Sequence, residues 1–180
     1  MGLAAADLGS ESAASALGDP SVDVAPTASE LAARRRLVAG VAGVVVIVDQ
    51  LTKLWAQRTL DEAVDGPFGS SLRLVENTGS AFSLGSGYGP LFGVLAILVA
   101  VSMFWVVRSV RTPIVIVGLG LVQGGAIGNV LDRAFRDGDG FLGGAVIDFL
   151  EVGDWWPVFN VADVAIVVGG IIVAVFGSRG

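Results

Sequence analysis

Four apolar runs, each near twenty residues long, constrain this chain more than any other feature. They extend from about Leu37 to Ala56, Pro90 to Val107, Thr112 to Leu131 and Val158 to Phe176. A helix of about 20 residues crosses a hydrocarbon core of about 30 Å, so each run reads as a membrane span. Charged residues make up only 16% of the 180 and hydrophobic ones 53%, with a mean hydropathy of +0.76. Soluble domains carry about 25% charged residues, so a single water-soluble core is excluded.

Positive charge predicts the orientation. Arg34, Arg35 and Arg36 precede the first run, Arg108 and Arg111 lie between the second and third, and Arg179 follows the fourth. The positive-inside rule then puts both termini in the cytoplasm. Residues 1–33 hold five acids, no bases and no aromatic residue, and such a segment cannot bury enough surface to order alone. The expected organisation is a disordered cytoplasmic tail over 1–36, a membrane domain over 37–176 and a cytoplasmic terminus over 177–180. Arg34–Arg36 before an apolar run also resemble the start of a signal peptide, but VDQLTKLWAQ offers no prompt small-residue cleavage site. An uncleaved span is the reading adopted.

With that topology, polar groups from the whole chain meet at one outer face. Asp49 and Lys53 sit at the end of span one, Asn129, Asp132 and Arg133 at the end of span three, and Asn160 and Asp163 at the start of span four. Asn77 and Asp148 lie in the two outer segments, the first after LRLVE, which alternates like a short strand. Trp155, Trp156 and Pro157 suit the headgroup level.

The chain has no His and contains no Cys. That excludes thiol nucleophiles, a Ser-His-Asp triad and zinc sites built on His or Cys. Carboxylates are the remaining candidates for acid–base work, beside a single Lys and a single Tyr. Two carboxylates in a low-dielectric pocket cannot both ionise easily; one keeps a proton and the other can activate water.

Each motif also has a structural reading. Asp49 and Lys53, four residues apart, could be an interfacial ion pair with Lys53 snorkelling. Asn77, Gly79 and Ser80 could be an ordinary turn. Asp132 and Arg133 could neutralise each other, and Asp163 could simply favour a helix N-terminus. Asp148, between Ile147 and Phe149, has no such account.

Taken in order, VDQLTK, ENTGSAF, GNVLDR, VIDF and FNVAD resemble the lipoprotein signal peptidases of bacteria, over about Leu37 to Phe176. The resemblance implies four transmembrane helices with a small extracytoplasmic β-structured platform. It implies hydrolysis of a prolipoprotein just before its diacylglyceryl-modified cysteine, without metal or cofactor. The family's catalytic pair, the Asp of V-x-D-F and the Asp of F-N-x-A-D, matches Asp148 and Asp163. Its supporting residues match Asp49, Lys53, Asn77, Asn129, Asp132, Arg133 and Asn160. RAFRDGDGFLGGAVIDF is longer between Arg133 and Asp148 than such a chain usually has. The expected partners are lipidated prolipoprotein and membrane lipid, with no nucleic acid, and the expected state is a monomer. Two competing readings are a Ser/Lys peptidase using Lys53 with Ser80 or Ser83, and a proton or solute transporter built on membrane carboxylates.

Overall fold

The computed structural model describes residues 25–79, 88–153 and 155–179. Helix α1 spans Ala28–Thr59, α2 Gly89–Val106, α3 Pro113–Phe135 and α4 Val161–Phe176. Three short strands, β1 (Val64–Asp65), β2 (Ser70–Asn77) and β3 (Val146–Val152), form one antiparallel sheet in that order. The molecule is mainly helical, as its apolar runs predict, and LRLVE lies within β2.

Three helices, α1, α2 and α3, are long and apolar enough to cross a membrane; α4 has 16 residues. The sequence places its start near Val158, but Phe159 is paired in the sheet. The N–H groups of Phe149 and Leu150 both donate to Phe159 O, and Phe159 N donates to Leu150 O at 2.9 Å. Helix α4 therefore begins only after Asn160, its N-cap. At the other end of the chain α1 starts at Ala28 rather than Leu37, so residues 28–36 of the expected tail are helical. The cause is local: Thr27 Oγ1 accepts from Glu30 N, and Glu30 Oε2 accepts from Thr27 N, a reciprocal cap that satisfies two orphan donors. Residues 1–24 of that tail lie outside the described residues.

Helix α3 is the centre of the bundle, packed against the other three. Its glycines allow this. A Cβ at Gly120 or Gly124 would lie 2.7 Å from the Cβ of Val41 or Val45 on α1, and one at Gly125 would lie 2.3 Å from Ala162 O on α4. Small residues four apart let helix backbones approach where water supplies no drive to associate. The buried positions of α1 form one stripe of helical period, Val38, Ala42, Val45, Asp49, Lys53 and Ala56. The same packing face is thus apolar in its first half and charged in its second.

The helices alternate in direction. Val38, Val107, Ile116 and Leu119, with Leu31, Met103, Val110 and Val173 beside them, close the bundle at the arginine end. The sheet lies at the other end, where Ala56, Leu60 and Phe149 form a second cluster with Leu72 and Leu74. Outward residues such as Val44, Ile47, Leu98, Val101, Val167 and Ile171 are apolar and exposed, as lipid-facing surfaces require.

Candidate active site

The site forms where β3 crosses the ends of α1, α3 and α4. A bulge in β2 decides its make-up. Leu72 pairs with Leu150, but Val75 pairs with Asp148, so two residues of β2 oppose the single Phe149. Side chains alternate along a strand, and a one-residue slip exchanges faces. Unbulged pairing would set Asp148 opposite Leu74 and send Asn77 to the far face. With the bulge, Asn77 shares the face of Asp148, and its Nδ2 donates to Asp148 Oδ2 at 3.0 Å. Asn77 Oδ1 accepts from Gly79 N at 3.0 Å, so the expected turn is also present.

Asp148 is 2% exposed. Its other oxygen, Oδ1, accepts from Asn160 Nδ2 at 2.7 Å. Burial, reinforced by the nearby Asp163 carboxylate, pushes Asp148 up to about 7; the amides of Asn77 and Asn160 and the charge of Lys53 pull against this. Asp163 Oδ1 accepts from Asn129 Nδ2 at 2.9 Å, and Oδ2 from Asn160 N at 3.2 Å. Asn160 links the two carboxylates: its Nδ2 reaches Asp148, while its Oδ1 accepts from Asp163 N at 3.0 Å in the capping box of α4.

A second network stands behind the first. Lys53 is fully buried and uses all three of its donors: Asp49 Oδ2 at 2.9 Å, Asp132 Oδ2 at 2.7 Å and Asn129 Oδ1 at 3.0 Å. It does not snorkel. Asp49 Oδ1 accepts from Ala162 N at 2.9 Å, tying α1 to the first turn of α4. Asp132 Oδ2 also accepts from Ile147 N at 3.2 Å, fixing β3 one residue before Asp148. Asp132 does not pair with Arg133, as its sequence neighbour could have done. Successive residues on a helix point about 100° apart, and Arg136, one turn on, fills that role with Nε 2.7 Å from Asp132 Oδ1. Arg133 instead donates from Nη2 to Gly79 O at 2.6 Å, and its buried Nη1 has no hydrogen-bond partner among the described residues.

All nine residues selected from the sequence therefore meet in one region. Sequence reasoning missed Gln50, Gln57, Arg136 and Gly128. Gln50 Nε2 reaches both Asp49 and Asp132 at 3.2 Å, and Arg136 Nη1 donates to Gln57 Oε1 at 2.5 Å. A Cβ at Gly128 would lie 2.6 Å from Asp49 Oδ2. Helical spacing from Asp49, Lys53 and Asp132 could have found all four. The long loop before β3 closes through glycines: a Cβ at Gly143 would lie 2.1 Å from Asp139 O.

A pocket of about 300 Å³ opens in front of the two carboxylates, with Phe92, Ala96, Val146, Trp156, Pro157 and Phe159 as apolar walls. An apolar cleft with a few convergent polar groups is suited to orienting a mostly apolar chain. Such a carboxylate pair can activate water and protonate a carbonyl oxygen. The Ser/Lys arrangement fits poorly, because Lys53 Nζ is fully buried and committed to Asp49, Asp132 and Asn129. Ser80 and Ser83 lie outside the described residues. A transport path fits poorly too, since the buried carboxylates gather at one end and the packing face of α1 is apolar through Val38, Ala42 and Val45.

The comparisons with known proteins agree with one another. A family model described as signal peptidase (SPase) II matches residues 41–178. The lipoprotein signal peptidase of Mycobacterium avium is 43% identical over 150 residues, covering 82% of this chain and 81% of that protein. The enzyme of the same name from Rhodococcus jostii is 44% identical over 146 residues, covering 79% and 72%. A solved bacterial membrane enzyme superposes with a TM-score of 0.68 at 25% identity, covering 79% of this chain and 87% of its own.

Proposed function

The chain belongs to the signal peptidase II family, and from that premise we propose that Asp148 and Asp163 are the aspartyl dyad with which it releases signal peptides from prolipoproteins. One observation carries the assignment: both carboxylates are held by amides and backbone N–H groups alone. Every other buried carboxylate of the site has a cation against it. Charge balance supports a single shared proton. Asp49 and Asp132 offset Lys53 and Arg136, leaving Arg133, whose charge equals that of a singly protonated dyad.

In this reading Asp148 keeps the proton, consistent with its rise to about 7. Asp163 lies at the N-terminal turn of α4, where the helix dipole favours negative charge. Asp163 takes a proton from water as the oxygen attacks the scissile carbonyl, and Asp148 gives its proton to the carbonyl oxygen. The tetrahedral carbon then collapses: its C–N bond breaks, Asp163 delivers its proton to the departing amine, and Asp148 recovers its own. The products are a carboxyl-terminated signal peptide and a new amino terminus. Asn160, Asn129 and Asn77 orient the two acids; Lys53, Asp49 and Asp132 hold α1, α3, α4 and β3 in register. Arg133 Nη1 is a donor available to the substrate backbone.

The substrate reading is a prolipoprotein with a diacylglyceryl-modified cysteine after the cut bond, its apolar flank lying in the pocket. Helix α4 is the fourth span. Its 16 residues cover about 24 Å, yet Val173 packs against the cluster of Val38, Val107, Ile116 and Leu119 at the arginine end. The arginine end faces the cytoplasm with both termini, and the dyad faces outward. One copy suffices, because a single chain supplies every polar group.

The decisive experiment is cleavage of a purified prolipoprotein, with and without its diacylglyceryl group, by the wild type and by Asp148→Asn and Asp163→Asn. Lipid-dependent cleavage lost in both variants is the expected result. Turnover by either folded variant at the wild-type rate overturns the dyad.

A further inference from the structure

At the arginine end, neighbouring arginines of α1 are treated differently. Arg34 Nη1 donates to Val110 O at 2.8 Å, joining α1 to the turn between α2 and α3. Arg35 lies with its guanidinium carbon 4.0 Å from the centre of the Phe104 ring. Its Nε and Nη2 are buried and have no hydrogen-bond acceptor among the described residues. The ring offsets part of the charge, but an unbonded buried N–H remains costly. Among the described residues, no acid nearby is free to answer it. Glu30 is the only acid among residues 25–48, 89–131 and 164–179, and it is committed to Thr27.

Phe104 also walls an apolar groove of about 460 Å³ between α2 and α3, with Ile97 and Ala100 on one side and Gln123, Ile127 and Val130 on the other. None of these residues lines the pocket in front of the dyad. Gln123, the groove's one polar side chain, spends its Nε2 on Ala100 O at 2.9 Å. One aromatic ring thus joins an unsatisfied cation to a groove whose surface is almost wholly apolar.

We propose that this is a binding site for an anionic phospholipid of the membrane. A phosphate-diester oxygen accepts from Arg35, and one acyl chain lies along the groove beneath Phe104. A guanidinium edge suits a phosphate, and basic pockets between membrane helices select anionic headgroups. A free phosphate would leave the groove empty, so a lipid is the occupant. Its headgroup end, at Arg35, lies at the arginine end of the bundle, while the groove runs towards Val130, next to Asn129.

Native mass spectrometry of the full chain, given phosphatidylglycerol and phosphatidylcholine of equal chain length, tests this. The wild type is expected to retain the anionic lipid about fivefold to tenfold over the neutral one. Arg35→Gln should bring that ratio to near one while cleavage of prolipoprotein continues. Ala100→Phe, which fills the groove and keeps every arginine, should lower phosphatidylglycerol retention. If Arg35→Gln does not fold, Arg35→Lys, with charge but no planar fork, should still reduce the preference. Equal retention of the two lipids by the wild type overturns the proposal, as does an unchanged ratio in the Arg35 variants. So does displacement of the lipid by inorganic phosphate, or full retention in Ala100→Phe.

Discussion

Two pairs of carboxylates share one buried region, and they are neutralised in different ways. Asp49 and Asp132 face a lysine held between them at 2.9 and 2.7 Å, with Arg136 on the outer side of Asp132. Asp148 and Asp163 face three asparagines and a backbone N–H. An ion pair locks a carboxylate in its charged state, whereas an amide orients it and leaves its charge to be settled by a proton. The first pair therefore serves as a brace between helices, and the second remains able to exchange protons. On the proposed assignment, a carboxylate's counter-groups, more than its burial, separate brace from reagent.

The contrast is tested most severely by removing one acid at a time. Asp148→Asn and Asp163→Asn should each lower cleavage by more than about 10³-fold, roughly 4 kcal/mol of barrier, with the helical circular dichroism unchanged. Asp148→Asn should also raise the melting temperature at pH 8. The folded-state pKa of Asp148 is raised from 3.8 to about 7, so the native state binds the extra proton. The associated stability is full below about 4 and is lost as the pH rises through 7. The amide never carries that charge. A wild-type-like rate, or a lower melting temperature at pH 8, would show that Asp148 belongs with the braces.

Removing the brace should act on stability first. Lys53→Met leaves Asp49 and Asp132 buried with Arg136 alone, and should cost about 3–5 kcal/mol, read as a drop in the denaturant midpoint in detergent. Gly128→Ala presses on Asp49 Oδ2 and should cost about 1–3 kcal/mol by the same measurement. A subtler test is the pH profile. Activity should fall as the pH rises through about 7, where Asp148 loses its proton. Asn77→Ala removes a donor that favours the charged form, and so should move this limb upward. A limb that stays in place would mean that Asn77 positions the chain without tuning the acid. The smallest effect is expected for Arg136→Gln, whose side chain is 22% exposed. It should cost about 1 kcal/mol or less, and a loss as large as that of Lys53→Met would make the two cations equal partners.

Much of this arrangement was legible before any fold was known. Runs of about twenty apolar residues need lipid around them, which follows from chain length and composition. Without His or Cys, the chemistry falls to carboxylates. Helical spacing put Asp49 with Lys53 and Asn160 with Asp163, and the ordered motifs identified the family. These are local or compositional properties, so one dimension suffices to read them.

Other features depend on where the chain returns to itself. The partner of Asp132 became Arg136 rather than its neighbour because a helix turns adjacent side chains apart. Helix α4 lost its expected first residues because Phe159 is bonded to Leu150. The close approach at Gly128 exists only because α1 lies against α3. Above all, Asn77 reaches Asp148 through a single bulge in β2, and nothing in SLRLVEN marks which residue bulges. Periodicity assigns a residue to a face within its own strand; which face meets which is decided by register, and register is set by the packing of the whole.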